Sequence, residues 1–206
     1  MAFSYDLGLA VWVEPVAVIS VEPEHCICDK LINAAATVDS NDIIGEKEWE
    51  AVMQIRRAEI RDIDRINDLL YQVAEIHHNL RPDIFTVASK KYSDEKLTDI
   101  IRDDSTPIFV ADDEGVVGYA FCVFRDCPDN GLFHNHKMLY IDDICVDASQ
   151  RGKHIGSKLY EHVRAFAKEQ GCCHITLNVW AENESAKKFY ETLGMKQQRI
   201  FMEDIL

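Results

Sequence analysis

Apolar and polar residues alternate with two different periods along this chain, and the change of period predicts where helices and strands lie. Residues 60–76 place Ile, Leu and Val three or four positions apart, which predicts an amphipathic helix. Ser93, with Asp94 and Glu95 after it, predicts the start of a second helix that runs to residue 101. Runs of β-branched and aromatic residues predict strands at 52–58, 107–111, 116–124, 139–146, 172–180 and 195–202. This order predicts helices on both faces of a mixed sheet.

The central part of the chain joins a strand to a helix through a basic turn that contains two glycines. The strand ends at Val146, the turn at residues 150–156 reads QRGKHIG, and an apolar helical stripe continues to Ala167. The first turn of a helix has N–H groups without partners, and glycine lets a ligand approach the backbone, so this layout favours anion binding. A strand-to-helix turn that binds no anion has the same composition. The residues after this helix are needed to decide between the two interpretations.

Residues 183–195 read NESAKKFYETLGM, and together with the RGKHIG turn they resemble the GNAT superfamily of acyl-CoA-dependent N-acyltransferases. The family pattern is a strand ending in Val, then R-G-x-G-I-G or Q-R-x-G-x-G, a helix, a strand, and N-x-x-A-x-x-F-Y-x-x-x-G-F. This chain departs from it at His154, which stands in place of the central glycine. Every residue except proline keeps its amide donor, so the departure concerns the shape of the turn rather than CoA binding.

The resemblance implies an α+β fold with three layers (α/β/α) around a mixed, mostly antiparallel sheet of the GNAT type. Residues 52–206 are expected to form one GNAT N-acetyltransferase domain, and residues 1–51 an N-terminal extension of unknown role. The extension is rich in Val, Ile and Trp, so we expect it to pack on the domain or on a partner subunit, for example in a homodimer. Disorder is the alternative for this segment.

The resemblance also implies that acetyl-CoA is the co-substrate. Its pyrophosphate is expected to bind the backbone amides of residues 151–157, named here the cradle, and its pantetheine arm to pair with the strand that ends at Val146. An amide near Cys145 or Val146 would stabilise the oxyanion. The residues expected to bind the cofactor are Ile144, Cys145, Val146, Arg151, Gly152, Lys153, His154, Ile155, Gly156, Ser157, Asn183 and Lys187. Surface ion pairing explains Lys187 equally well.

Tyr190 stands at the family's tyrosine position, seven residues after Asn183. The resemblance implies that its hydroxyl protonates the departing CoA thiolate. A tyrosine has an ordinary pKa of about 10 and is therefore protonated at neutral pH, as an acid must be. The alternative role for Tyr190, together with Phe189, is that of an aromatic anchor for the last helix.

The general base is less well defined by the residues. An aliphatic amine has a pKa of about 10.4 and must lose a proton before it attacks. Some family members use a glutamate twelve residues before the tyrosine, but Asn178 occupies that position here. The catalytic candidates are Asp142 and Asp143 on the central strand, of which regular alternation would send only one to the cleft. The β-bulge typical of this family strand leaves open which one. One alternative is that water carries the proton, while one aspartate forms an ion pair and the other is solvated. His134 and His136 are further candidates for the base.

Composition restricts the partners and the location. A net charge of −14 over 206 residues makes nucleic acid an unfavourable partner. No apolar run is long enough to span a bilayer and no secretory pattern opens the sequence, so we expect a cytoplasmic protein without a membrane partner. The seven cysteines lack a repeated C-x-x-C pair, and we expect no metal at either His/Cys-rich cluster, residues 25–28 or 134–136.

The expected function is transfer of an acetyl group from acetyl-CoA to a primary amine of a small molecule or peptide. Residues 77–85 (HHNLRPDIF) end the first helix, and the resemblance implies that they form a wall of the acceptor site, although a plain helix exit has the same composition. The alternative function is a non-catalytic sensor that binds acyl-CoA and acts through protein contacts. The presence of Tyr190 and of the aspartate pair favours the enzyme.

Overall fold

The computed structural model describes residues 53–87, 91–127, 134 and 136–206. The expectations for the extension at residues 1–51, and for the domain boundary at residue 52, lie outside these ranges. No helix in the described ranges is both long enough and apolar enough to cross a membrane.

The described strands form one five-stranded sheet whose spatial order follows the chain order. The first three pairings are antiparallel and the last is parallel, so the predicted mixed, mostly antiparallel sheet is confirmed. The Asp112–Gly115 segment forms the predicted hairpin between the second and third strands. The strands are β1 (Gln54–Arg57), β2 (Ile108–Asp112), β3 (Val116–Cys127), β4 (His136–Val146) and β5 (His174–Leu177).

Four α-helices are present in the described residues: α1 (Ile63–Leu80), α2 (Asp94–Arg102), α3 (Ile155–Glu169) and α4 (Glu184–Thr192). Ser93 begins α2 as predicted, because its hydroxyl accepts a hydrogen bond of 3.2 Å from the amide of Lys96. Short 3₁₀ segments precede α1 at Ile60–Asp62 and α3 at Ala148–Gln150.

The sheet separates two apolar cores, which gives the three layers that the resemblance implied. Strand alternation in β2 sends Ile108 and Val110 to one face and Phe109 and Ala111 to the other. The first face is covered by apolar residues of α1 and α2, and the second by the stripe of α3. Helices on opposite faces therefore enclose β4, the strand that carries the two aspartates.

A β-bulge interrupts β4 at Asp142. Phe121 of β3 pairs with Asp143 and the next residue, Cys122, pairs with Ile141, so Asp142 is the extra residue of the bulge. Pairing between β4 and β5 also stops at this point, at Ile141 and Leu177. Among the described strands none pairs with residues 142–146 on the β5 side, so the two strands separate after the bulge.

Two predicted strands differ from the structure at this end of the sheet. The strand predicted at 172–180 is shorter, because β5 loses its partner where the bulge bends β4. The strand predicted at 195–202 is wrong, since these residues have no regular secondary structure. Their sequence has four polar residues followed by three apolar ones, rather than an alternation that would bury one face. Ile200, Phe201 and Met202 are accordingly exposed.

Asp147 fixes the turn between β4 and α3. Its carboxylate accepts hydrogen bonds of 2.8 and 2.6 Å from the amide and hydroxyl of Ser149, and it forms an ion pair with Arg65 of α1. Gln72, also on α1, accepts a 3.0 Å hydrogen bond from the amide of Ala148. The turn is therefore held against α1 before the chain enters α3.

His154, the departure from the family pattern, precedes α3 with a left-handed backbone (φ 61°, ψ 15°). Gly152 in the same turn has φ 82°. The histidine thus adopts the conformation that a glycine would adopt more readily, and the turn keeps its path at the cost of local strain.

We expect Asp147→Asn to lower the free energy of unfolding by about 1–3 kcal/mol at neutral pH, since Arg65 would lose its ion pair. Hydrogen bonds from Ser149 and the Arg65 guanidinium hold the pKa of Asp147 far below its usual range. A carboxylate with a lowered native pKa stabilises the fold above its ordinary pKa, and this contribution disappears as the pH falls through the native pKa. Urea unfolding at about pH 7 and about pH 3 should show a smaller difference from wild type in acid. Exposed Asp113→Asn is the control, and an equal loss at both pH values would contradict this account.

We expect His154→Gly to be more stable than His154→Ala by about 1 kcal/mol, because only glycine is free of the left-handed steric cost. The alanine variant removes the imidazole and keeps the Cβ, so the difference between the two isolates the backbone strain. Thermal and urea unfolding measure it. Equal stability of the two variants would show that the turn is not strained at this residue.

Candidate active site

The cleft between β4 and β5 opens where the two strands separate. On its other edge β4 is fully paired, with Ile144 opposite Ala120 and Cys145 opposite Tyr119 of β3. The Cys145 thiol is buried and lies 3.8 Å from the carbonyl of Leu69 on α1, so this side chain points away from the cleft. Residues 144–146 therefore offer the cleft their backbone, which can pair with an extended ligand.

The cradle lies directly after this strand. Within the described residues, the imidazole of His154 does not cap α3, whose first-turn amides include those of Gly156 and Ser157. Two exposed cations belong to the same turn: Arg151 donates a 3.3 Å hydrogen bond to the Val146 carbonyl, and Lys153 donates one of 2.7 Å to Gln150. First-turn amides, the positive end of the helix dipole and two cations form a surface suited to a polyphosphate.

Gly156 also brings α3 and α4 together. A Cβ at this position would lie 3.1 Å from Cζ of Phe189, closer than ordinary packing allows. Phe189 is the neighbour of Tyr190, and their rings are 5.1 Å apart. A side chain at Gly156 would therefore have to displace the Phe189 ring, which packs beside Tyr190.

Tyr190 lies half-buried on α4. Burial raises its pKa, and the negative charge of Asp143 raises it further, so the phenol stays protonated. Asn183 holds the start of this helix, because its side-chain oxygen accepts a 3.0 Å hydrogen bond from the amide of Ala186. Lys187 forms an ion pair of 2.7 Å with Glu184. The structure thus gives Asn183 a capping role and gives Lys187 a surface ion pair.

The bulge turns both aspartates towards the same ammonium group. Nζ of Lys91 lies 3.1 Å from Oδ2 of Asp142 and 3.7 Å from Oδ2 of Asp143. The Asp142 side chain is 36% exposed and that of Asp143 is 10% exposed, so the pair has an outer and an inner member. Regular alternation would send the two carboxylates to opposite faces of the sheet, whereas at the bulge both lie on the side of Lys91.

Asp143 is the carboxylate whose environment suits a base. Burial raises its pKa, while the Lys91 cation and a 3.0 Å hydrogen bond from the hydroxyl of Tyr119 act in the opposite direction. Tyr119 is itself buried and holds the carboxylate in place. A carboxyl group with a raised pKa takes up a proton more readily at neutral pH than an ordinary aspartate.

Sequence reasoning missed two neighbours of this pair, Lys91 and Tyr119, and included a third, His77, only as part of the HHNLRPDIF segment. His77 lies on α1, and burial lowers its pKa while Asp143 opposes this shift. Its ring is 5.0 Å from that of Phe85, which is 5.3 Å from that of Trp180. The HHNLRPDIF segment therefore places one titratable group, His77, close enough to Asp143 for their charges to interact. Lys91 and Tyr119 have no motif of their own that could have indicated the contact.

The two alternative histidines are not close to the aspartates along the sheet. His136 pairs with Cys127 at the opposite end of β4, seven residues from Asp143, and its Nδ1 donates a 2.7 Å hydrogen bond to the carbonyl oxygen of His134. Within the described residues, no group of three or more His, Cys, Asp or Glu could hold a metal ion. The cluster at residues 25–28 lies outside the described ranges.

Comparison with known proteins matches residues 71–195 to the model of the acetyltransferase (GNAT) family. Glucosamine 6-phosphate N-acetyltransferase of Arabidopsis thaliana is 28% identical over 113 residues, which cover 55% of this chain and 67% of that protein. Thialysine N-epsilon-acetyltransferase of Bos taurus is 34% identical over 79 residues, which cover 38% of this chain and 44% of that protein. The chain thus spans less than half of the bovine relative.

A solved structure extends the similarity to the whole described fold. A tetramutant of the BH1408 protein of Bacillus halodurans superposes with a TM-score of 0.72 and 31% identity, and the match covers 75% of this chain and 100% of that one. The family match includes β4, the cradle and the helix of Tyr190. The chain therefore belongs to the GNAT acetyltransferase family.

Proposed function

We propose that this protein transfers an acetyl group from acetyl-CoA to a primary amine by direct attack of the amine on the thioester. The observation that carries the proposal is the pair of carboxylates on the β4 bulge, beside the point where β4 and β5 separate. A buried carboxylate and a protonated tyrosine then act on the same cleft, since the charge of Asp143 raises the pKa of Tyr190.

The donor is held by main-chain groups. The amides of the cradle and the exposed side chains of Arg151 and Lys153 bind the pyrophosphate. The unpaired edge of residues 144–146 forms a short ladder with the pantetheine arm, because no described strand occupies it. An amide near Cys145 or Val146 stabilises the tetrahedral oxyanion, a contribution of a few kcal/mol in acyl transfer generally.

Asp143 and Tyr190 move the protons in opposite directions. Asp143 accepts the proton of the attacking ammonium group, directly or through water, because its raised pKa makes it a stronger base than an exposed aspartate. The free amine then forms the N–C bond and gives the tetrahedral oxyanion, whose collapse breaks the C–S bond. The Tyr190 hydroxyl supplies a proton to the departing thiolate, and the second proton lost by the nitrogen returns through water to the Tyr190 phenolate. Burial raises both pKa values, so Tyr190 keeps the proton that it must donate, and Asp143, which must be ionised before the reaction, takes up a proton more readily than an exposed aspartate.

The acceptor class is supported by the relatives. The names of the Arabidopsis and bovine proteins both describe acetylation of an amino group of a small molecule. The same chemistry on a small primary amine is what we propose here, with a peptide amine as the second class to test.

We expect the wild-type protein to release CoA thiol from acetyl-CoA when a suitable primary amine is added, and Tyr190→Phe to lower kcat by about 100-fold. The phenylalanine keeps the aromatic packing and removes only the acidic proton, so CoA affinity measured by calorimetry should stay unchanged. Tyr71→Phe, an exposed tyrosine on α1, is the matched control. If no amine in a panel of polyamines, amino acids, amino sugars and short peptides gave turnover while CoA bound, the non-catalytic sensor would replace the enzyme.

We expect Asp143→Asn to lower kcat by about 100-fold or more, and the exposed Asp142→Asn to have a clearly smaller effect. The raised pKa of Asp143 sets the acidic limb of the wild-type pH–rate profile: activity falls as the pH drops through that pKa and the base becomes protonated. The asparagine variant should lack this limb. Small and equal losses in both variants would remove the aspartates as the base and leave water in that role.

A further inference from the structure

The two aspartates of the bulge already hold an ammonium group, that of Lys91. Besides its contacts of 3.1 and 3.7 Å with Asp142 and Asp143, the cation lies 5.3 Å from the centre of the Tyr92 ring. Two carboxylates and an aromatic face are the groups with which proteins bind alkylammonium ions. The surroundings of Lys91 are thus those that a bound amine would need.

The contact joins distant parts of the chain and can be broken without unfolding. Lys91 lies 51 positions before Asp142, just ahead of α2, and its side chain is 40% exposed. The contact of Lys91 with Asp142 joins two partly exposed side chains, and such ion pairs contribute little to stability, so an incoming cation can compete with Lys91 from this side. The stem of Lys91 is a straight alkyl chain with a terminal ammonium group, which is the shape of an unbranched primary amine.

The geometry points to Lys91 as an internal substitute for the acceptor: its ammonium group occupies the acceptor amine's position until an alkylammonium ion displaces it. This inference rests on the proposed function, because it concerns the acceptor side of the same site. It assigns the acceptor a chemical class, a primary alkylamine that enters as a cation, and it makes Lys91 a residue that limits acceptor affinity.

The electrostatics of the pair require a cation in this place. Asp142 and Asp143 are the negative groups, and Lys91 is the positive group that faces them. Burial lowers the pKa of the neighbouring imidazole and raises those of the neighbouring phenols, so these groups are uncharged: His77, Tyr92, Tyr119 and Tyr190. Removal of Lys91 without a replacement leaves two carboxylates uncompensated, and a neutral or anionic acceptor would not restore the balance.

The test is the acceptor kinetics of Lys91→Met, which keeps the apolar stem and removes the charge. We expect its KM for a cationic primary amine to fall about three- to fivefold, with little change in kcat at the pH optimum of each variant, because the competing ammonium group is gone. The comparison is made on full pH–rate profiles, because loss of the Lys91 cation raises the pKa of Asp143 and moves the acidic limb to higher pH. Lys91→Arg retains a cation and should return KM to the wild-type value.

Lys96→Met on the exposed face of α2 is the matched control and should leave KM unchanged. An unchanged or increased KM in Lys91→Met would overturn the inference, as would an arginine variant that behaves like the methionine variant. A loss of kcat in Lys91→Met at constant KM would also overturn it, since Lys91 would then support the chemical step instead of competing with the acceptor.

A binding measurement separates this inference from the proposed function. Calorimetry with n-butylamine in the presence of CoA, which carries no acetyl group, needs no turnover. Tighter binding to Lys91→Met than to wild type and to Lys91→Arg supports the inference even if no amine is acetylated, whereas equal binding overturns it even if the protein is an active acetyltransferase. Failure of the proposed function shows only in the thiol-release assay.

Discussion

The β-bulge at Asp142 is the constraint on which the rest of the site depends. One extra residue in β4 changes the alternation, so that the side chains of Asp142 and Asp143 both reach Nζ of Lys91. The same bend ends the pairing of β4 with β5 at Ile141 and leaves residues 142–146 without a described partner on that side. One bulge thus brings both aspartates, including the proposed base, to Lys91. It also leaves unpaired the strand edge at which the pantetheine arm is proposed to bind.

The parts of the fold that local sequence specifies could be predicted. Ser93 begins α2 as a cap, the stripe of α3 follows the cradle, and the hairpin of β2 and β3 forms at its turn residues, because each depends on neighbours within a few positions. The strand predicted at 172–180 is shorter in the structure for the opposite reason. A strand needs a partner elsewhere in the chain, and the separation of β4 and β5 is a property of the bulge rather than of residues 172–180.

The candidate site also contains some residues that local sequence indicates and others that only the tertiary structure reveals. The cradle, Tyr190 and the aspartate pair are found by motif and spacing, whereas Lys91 approaches Asp142 from 51 positions away. The side chain of Asn183 was expected to contribute to cofactor binding, and the structure adds a capping role at the start of α4 that the motif did not indicate. A motif fixes the type and position of a residue, but the direction of its side chain follows from tertiary packing. Tyr119, which donates a hydrogen bond to Asp143, has no motif, and its role depends on its burial on β3 opposite Cys145.

The net charge of −14 describes the chain as a whole and not the site. The cradle presents Arg151 and Lys153 on one side of β4, and the bulge presents two carboxylates that Lys91 compensates only in part. This arrangement suits the proposed donor and acceptor: a polyanion is attracted to the basic part of the cleft, a cation to the acidic part, and each is repelled from the part that suits the other. The acidic region is residues 142–143 and the basic region is residues 151–153. The end of β4 and the turn after it lie between these two segments and keep the charges apart. The bulge sets the position of the two carboxylates, and the left-handed turn at His154 sets the position of the two cations.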